Sequence, residues 1–413
     1  MRGHMDIQLA WRNVWRNPRR TAVILTAVVI GVWSMVFLGA LMRGIVRGMI
    51  ENGINTLTGD VQIHERHYIQ DPSVNHRIRD VDAIRSVLES ALPPHSHTSA
   101  RVRIEAVAAN ARHNLGVTLV GIDPTDEARV SFIGDAVVQG RYLAPDDDDA
   151  ILIGRALAQR FETRLGRKLI LMAQDTRGEI ASRAFRIRGI YRAEMAATEK
   201  TFVFVTRKSA QQMLAMDDSV SEIAVALPAH DLAPSIAHRL QGLLDNPSEP
   251  IVVRSWRQAL PLLDSYLGIY DNFILIWFVV VFVAMGFGIV NTTLMAVFER
   301  MREFGLLKAL GMRPRRIVRG ILTESLFILI IGMLLGDLLG LASCLALSIH
   351  GIDLSALAAG VEYAGMARII FPAVHVTDLI EANLVVLILG LLVSAYPAVR
   401  AARFTPVAAM RQN

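Results

Sequence analysis

Three clusters in the 413-residue chain combine residue types that do chemistry. His64-Glu65-Arg66-His67 sets two imidazoles beside a carboxylate. A zinc protease instead needs H-E-x-x-H, so that both His share one helix face. Here the spacing is one residue short and the run follows the strand-like Val61-Gln62-Ile63, so no metal site is expected. Asp146-Asp147-Asp148-Asp149 offers the hard oxygens that Ca2+ takes. Four adjacent acids on a loop are more often simply solvated. Asp337 lies inside an apolar run, where a carboxyl is costly and marks a functional candidate, here a proton relay. The competing reading is a carboxyl hydrogen-bonded to a neighbouring helix. No nucleophile–base–acid triad and no paired carboxylates stand out, so no catalytic residue is assigned.

A fourth cluster points to mechanics. In Glu299 to Met312, the residues Phe304, Leu307 and Leu310 recur at i, i+3 spacing, and Glu299 and Arg302 can pair. Gly311 is placed to end the helix and Pro314 enforces the stop. Such an amphipathic helix fits either a ridge pressed into a partner's groove or a plain connector.

The elements that position these residues follow from hydropathy. The chain is 53% hydrophobic, yet 20% charged. Its mean hydropathy is +0.38 and its pI about 9.6. That combination implies a few membrane helices plus a sizeable domain facing water. Thr21 to Met42 carries no charge and at ~1.5 Å per residue spans about 33 Å, enough for a bilayer core. Phe273–Phe298 is a second run, Ile317–Ile349 a third broken by Glu324 and Asp337, and Ala382–Val399 a fourth. The single cysteine, Cys344, excludes an internal disulfide.

Arginines set the orientation. Arg12, Arg16, Arg19 and Arg20 precede the first run. Arg300, Arg302, Lys308, Arg313, Arg315, Arg316 and Arg319 lie between the second and third, and Arg400, Arg403 and Arg411 follow the fourth. All three clusters fall on one side, which should be the cytoplasm. The same clustering beside apolar runs favours membrane topology over nucleic-acid binding as the reason for the basic balance. Glu324, near the cytoplasmic end, should pair with Arg319 or Arg316. Ile7, Trp11, Val14 and Trp15 share a face in a short interfacial helix that Pro18 ends.

The resulting expectation is an α-helical membrane protein with four transmembrane helices plus an α+β periplasmic domain inserted between helices 1 and 2. The expected segments are an interfacial helix over 1–20, spans over 21–46, 272–298, 317–349 and 381–400, and the periplasmic domain over 47–271. A cytoplasmic helix over 299–316, a periplasmic loop over 350–380 and a cytoplasmic tail over 401–413 complete the chain. Short strands are expected near 61–63, 117–120, 150–153, 168–171, 185–188, 202–205 and 222–225. Helices are expected near 80–91, 154–164, 207–215 and 231–244. Gly332, Gly336 and Gly340 recur every four residues, a spacing that lets membrane helices pack closely.

Glu299-Arg300-Met301-Arg302-Glu303-Phe304-Gly305-Leu306-Leu307-Lys308-Ala309-Leu310-Gly311 resembles the E-R-x-R-E-x-G-x-L-[KR]-A-[LI]-G signature of FtsX-type permeases. Tyr396-Pro397-Ala398 through Arg411 resembles the family's C-terminal ending. Gly140-Arg141-Tyr142-Leu143 with Ile151 to Ala158 resembles the MacB-type and lipoprotein-release (LolC/LolE) outer domain. The resemblance implies that Glu299, Arg300, Arg302, Glu303, Phe304, Leu307, Lys308, Leu310 and Gly311 form a coupling helix seated in a cytoplasmic ABC ATPase dimer. It also implies a second permease subunit, identical or not, and movement of periplasmic domains when ATP is used. The chain has no Gly-Lys dipeptide and hence no P-loop, so ATP and Mg2+ should be bound by the separate ATPase. Lipoproteins handed to a periplasmic carrier are the leading cargo, with efflux of amphiphiles or peptides and mechanotransmission as alternatives. A proton-coupled transporter built on Asp337 is the rival of another class. For lipid-like cargo, Met35, Phe37, Leu38, Met42, Phe278 and Phe282 are candidates to grip acyl chains, though ordinary packing explains them equally well.

Overall fold

The computed structural model describes residues 2–245, 250–353 and 369–403, with the backbone alone at residues 2–7, 266 and 271. The expected loop at 350–380 and tail at 401–413 therefore lie partly outside the described residues, as does the end of the C-terminal motif. Two compact units result. Among the described residues, one comprises residues 2–47, 267–353 and 369–403, the other residues 48–245 and 250–266.

The first unit is helical. Its elements are α1 (Arg2–Arg16), α2 (Pro18–Gly53), α3 (Pro261–Glu299), α4 (Met301–Ala309), α5 (Pro314–His350) and α6 (Val376–Arg403). The helices α2, α3, α5 and α6 are long and apolar enough to cross a membrane. At 36, 39, 37 and 28 residues each exceeds the roughly 20 that a bilayer core requires. They are apolar nearly all round, as lipid on the outside and protein on the inside demand.

Small residues bring these helices together. Gly332, Gly336 and Gly340 on α5 are buried, and a β-carbon at each would meet Val28, Val32 or Val36 of α2 at under 3.0 Å. Gly31 meets Met285 of α3 in the same way, and Gly390 of α6 meets Leu329 of α5. Without a hydrophobic drive between helices in lipid, this close approach supplies dispersion contact. Gly336→Val should therefore overpack the α2–α5 seam and cost about 1–3 kcal/mol. Gly320→Ala, with open space around it, should be neutral or slightly stabilising. Thermal unfolding of the two variants in detergent checks the contrast.

The second unit carries β1 (Val61–Glu65), β2 (His97–Ala109), β3 (Asn114–Ile122), β4 (Val137–Gly140), β5 (Ala150–Gly154), β6 (Lys168–Gln174), β7 (Ile180–Tyr191), β8 (Phe202–Thr206), β9 (Glu222–Ala226) and β10 (Ile251–Ser255). They form one ten-stranded sheet in the order β10-β1-β9-β2-β3-β8-β5-β7-β4. The strand β6 pairs with both β2 and β7, so β2, β3, β8, β5, β7 and β6 close on themselves. The pairs β3–β8 and β5–β7 are parallel and the other pairings antiparallel. The ring is filled by alternating side chains, among them Val102, Ile104, Leu119, Ile151, Leu169, Leu171, Phe185 and Val203. A barrel this small holds side chains rather than a channel. The remaining strands β10, β1 and β9 extend from β2 as a wing, on which the helix Ala233–Leu243 packs.

All seven strands read from the sequence are present, and three more join them. The long β2 escapes sequence reading because it is rich in Ala and Arg, which carry little strand signal. Its inward positions Val102, Ile104, Ala106 and Ala108 nevertheless alternate. The helix expected near 154–164 stops early, at Arg160.

Candidate coupling surface

The connector α4 begins one residue after α3 ends. Arg300 between them has non-helical backbone, so the chain turns there. At the other end Gly311 adopts φ +89°, which glycine takes without a β-carbon penalty. Gly311 N–H donates to the Lys308 carbonyl at 3.0 Å, and Met312 N–H to Leu307 at 2.9 Å. That is the Schellman ending, and it satisfies two orphan carbonyls.

The structure corrects which face of α4 is free. Phe304 is buried in a cluster with Val297, Ile317, Ile321, Ala398 and Ala401, and Leu307 is partly buried against it. Leu310, just past the helix, is 77% exposed, and Leu306 is 59% exposed. The i, i+3 row Phe304-Leu307-Leu310 is therefore not one outward ridge. Its first two members anchor the helix to its own bundle. The outward apolar pair is Leu306 and Leu310, one turn apart.

Ion pairs hold the α3–α4 junction against α1, α2 and α5. Arg300 donates to both oxygens of Glu324 at 2.9 Å, and Asn13 of α1 donates to the same carboxylate at 2.7 Å. Arg16 forks onto Glu303 at 2.8 and 3.1 Å, and Arg20 reaches Glu299 at 3.3 Å. The Arg300 guanidinium also lies 5.1 Å over the Phe304 ring and 3.3 Å from Glu303. Burial opposes ionisation of Glu303, but Arg16 and Arg300 together hold its carboxyl below the usual range. Lys308 donates to the Ala402 carbonyl at 2.7 Å, tying the connector to α6. Arg302 is exposed.

Two expected pairs are thus replaced. Glu299 pairs with Arg20 rather than Arg302, and Glu324 with Arg300 rather than Arg316 or Arg319. The partner in each case lies on another helix, at a separation that local periodicity does not report. A cavity of about 40 Å3 lies behind the hub, lined by Arg20, Thr293, Arg300, Glu324, Ser325 and Ser394 among apolar groups. It has room for a few waters and polar partners for them.

The helix α1 keeps Ala10 and Val14 buried, while Trp11 and Trp15 are about half exposed. Trp11 meets Phe327 of α5 edge-on at 5.4 Å. The Ile7 side chain lies outside the described residues. At the far end of the bundle Arg43 forks onto the buried Asp378 at 2.9 Å on both arms.

The acyl-chain candidates lie in and beside the packed interior of the bundle. Met35, Phe278 and Phe282 are buried between the helices, with Met42 packed against them. Phe37 and Leu38 are half-buried, and Phe37 stacks on Trp33 at 6.0 Å. Asp337 accepts two hydrogen bonds from the Asn383 amide on α6, at 3.0 and 3.2 Å. This is the hydrogen-bonded reading of that carboxyl. In the acidic run, Asp147 is not free in solvent. Arg141 forks onto it at 2.6 Å and keeps its pKa below the usual value. His64 is buried, and burial pushes its imidazole pKa down.

A model of the MacB-like periplasmic core domain matches residues 21–243, and one of the FtsX-like permease C-terminal region matches residues 274–406. The lipoprotein-releasing system transmembrane protein LolC of Neisseria meningitidis is 22% identical over 78% of this chain and 76% of its own length. The macrolide export ATP-binding/permease protein MacB of Nitrobacter winogradskyi is 24% identical over 96% of this chain, but over only 58% of its own length. The crystal structure of the periplasmic region of MacB from Actinobacillus actinomycetemcomitans is 13% identical, with a TM-score of 0.36. It covers 52% of this chain and 95% of that one. The two matched regions together account for most of a multi-pass membrane protein, and the chain belongs to the MacB-like, FtsX-like family of ABC transporter permeases.

Proposed function

We propose that this permease couples ATP hydrolysis on a separate cytoplasmic ATPase dimer to movement of a periplasmic domain inserted between its first two spans. The work done is extraction of lipoproteins from the inner membrane. The observation that carries the reading is α4. It is a short connector tied to α1 through Arg16–Glu303, its junction with α3 held by Arg20–Glu299 and Arg300–Glu324, with Leu306 and Leu310 left outward. Force applied to those leucines passes through Glu303 into α1 and through Arg300–Glu324 into α5. A rigid, multiply tethered lever transmits displacement where a loose loop would absorb it.

Similarity to LolC over three quarters of the chain supports the lipoprotein cargo. Similarity to MacB over nearly the whole chain supports a second reading, efflux of amphiphiles or peptides by the same machinery. The test is ATPase activity of the reconstituted complex with acylated and non-acylated forms of one periplasmic protein. Several-fold stimulation by the acylated form alone is expected. Equal response to both forms contradicts the lipoprotein reading. In the same assay Asp337→Asn should change activity by less than about twofold, because an amide can still bond Asn383 at roughly the net worth of one hydrogen bond. Abolished activity would move the mechanism to proton coupling.

A further inference from the structure

We infer that the MacB-like domain carries a divalent transition-metal site, suited to Zn2+, on Glu65, His67 and His76. The ligand-bearing atoms of the three side chains lie within 4.8 Å of one another. The Glu65 carboxylate sits between the two rings. His67 Nδ1 is 3.0 Å from its Oε1, and His76 Nδ1 is 3.0 Å from its Oε2. Tetrahedral Zn2+ with N and O ligands at about 2.0–2.2 Å separates its ligand atoms by about 3.3–3.5 Å. An ion entering between the three groups would draw atoms that already lie within 4.8 Å of one another onto that spacing.

The chemistry of the set is selective. Two imidazoles and one carboxylate make up the His2Glu donor set of Zn2+ sites with an open fourth position. The His67 side chain is 57% exposed, so that fourth position faces solvent. An outer group is also in place. His76 Nε2 lies 3.3 Å from Asp71 Oδ2, and Ser73 Oγ donates to that same oxygen at 3.2 Å. A carboxylate on the far nitrogen holds the proton there and leaves the Nδ1 lone pair for the metal, as in carboxylate–histidine–zinc arrangements.

The loop is built rather than free. Glu65 ends β1, whose pairing with β10 fixes its position. His67 N–H donates to Glu65 Oε2 at 2.7 Å. The Tyr68 hydroxyl donates to the Arg103 carbonyl at 2.6 Å, Val74 enters the barrel core, and Ile78 bridges to Val220. Two anchored hydrophobic residues thus bracket His76. The sequence shows only half of this site, because His76 lies nine residues past His67 and no helical or Cys/His spacing links them. The wrong spacing for H-E-x-x-H excludes a helical protease site but not a site closed by a loop.

The test uses the full chain in detergent, stripped with chelator and titrated with Co2+ and Zn2+ at neutral pH. One equivalent of Co2+ should give the visible bands of a four-coordinate ion, displaced by Zn2+. His67→Gln and His76→Gln should each weaken Zn2+ binding by at least about 100-fold, and Asp71→Asn by about 10–100-fold. His67 is solvent-exposed, so His67→Gln should shift the melting midpoint of the metal-free protein by no more than the loss of one surface pair and separate ligation from folding. Zn2+ should raise the melting midpoint of the parent chain but not of His67→Gln. Absence of a stoichiometric Co2+ spectrum overturns the site, as does one that persists in a His67→Gln/His76→Gln chain.

Discussion

Leu306→Asp combined with Leu310→Asp will uncouple the permease from its ATPase while leaving the permease folded. Both leucines are exposed and add nothing to the bundle's own core. Burial of a leucine in a partner's groove is worth roughly 1.5–3 kcal/mol, of which association recovers a part. Losing two such anchors and placing two carboxylates in an apolar groove should weaken the complex by at least about 100-fold, or about 2.7 kcal/mol. Binding of the purified ATPase and cargo-stimulated ATPase activity should fall together. Phe304→Ala is the contrasting variant. Phe304 is 7% exposed and anchors α4 within the bundle. Its truncation should cost about 3–5 kcal/mol of permease stability. If Phe304→Ala abolished ATPase binding with the melting midpoint unchanged, the assignment of faces on α4 would be reversed.

The second large effect lies in the barrel-bearing unit. Arg101 of β2 is completely buried. Its Nε and Nη2 donate to Glu127 at 2.8 and 2.7 Å, its Nη1 to Glu222 at 3.3 Å, and also to the Leu57 carbonyl. Ser99 completes the shell of Glu127 with a 2.7 Å hydrogen bond. Burial works against the Glu127 anion, yet Arg101 and these hydrogen bonds hold its pKa below the ordinary value. Removing one partner of a buried pair leaves an uncompensated charge, so Arg101→Met should cost about 3–5 kcal/mol. Hydrogen exchange of β2 and β9 in the full chain reads this out.

The pH dependence has a definite sign. A carboxylate with a depressed folded pKa adds stability above its unfolded pKa, and this is lost as pH falls through the folded value. The parent chain should therefore weaken in acid. In Arg101→Met the Glu127 pKa rises, so mild acid should relieve part of the loss. Adding Glu127→Gln to Arg101→Met should recover part of it at neutral pH. A double variant as weak as the single one would contradict the buried-charge account.

Long-range pairing marks the limit of what residue patterns reveal here. Four long apolar runs suffice to predict the spanning helices, because lipid imposes length and hydropathy directly. The glycine stripe of α5 is equally visible, since its four-residue period is local. Its complement on α2 is not, because valines at 28, 32 and 36 look like any other apolar residues. Strands with β-branched runs declare themselves, whereas β2 hides behind alanines and arginines, and with it the barrel closure through β6. On α4 the i, i+3 pattern groups the core-facing Phe304 and Leu307 with the exposed Leu310, because periodicity cannot say which apolar residues turn toward their own bundle and which away from it. Glu324 shows the same limit. Its acidic character inside an apolar run is plain, while its partners Arg300 and Asn13 lie 24 and 311 residues away in sequence.

The central claim is that α4 faces the cytoplasm and touches the ATPase. A single cysteine at position 310, Leu310→Cys with Cys344→Ser, tests it in intact cells and in the purified complex. We expect no reaction with a membrane-impermeant maleimide from outside, and a crosslink to the ATPase within the complex. Labelling from outside, or a complex in which position 310 never crosslinks to the ATPase, would contradict it.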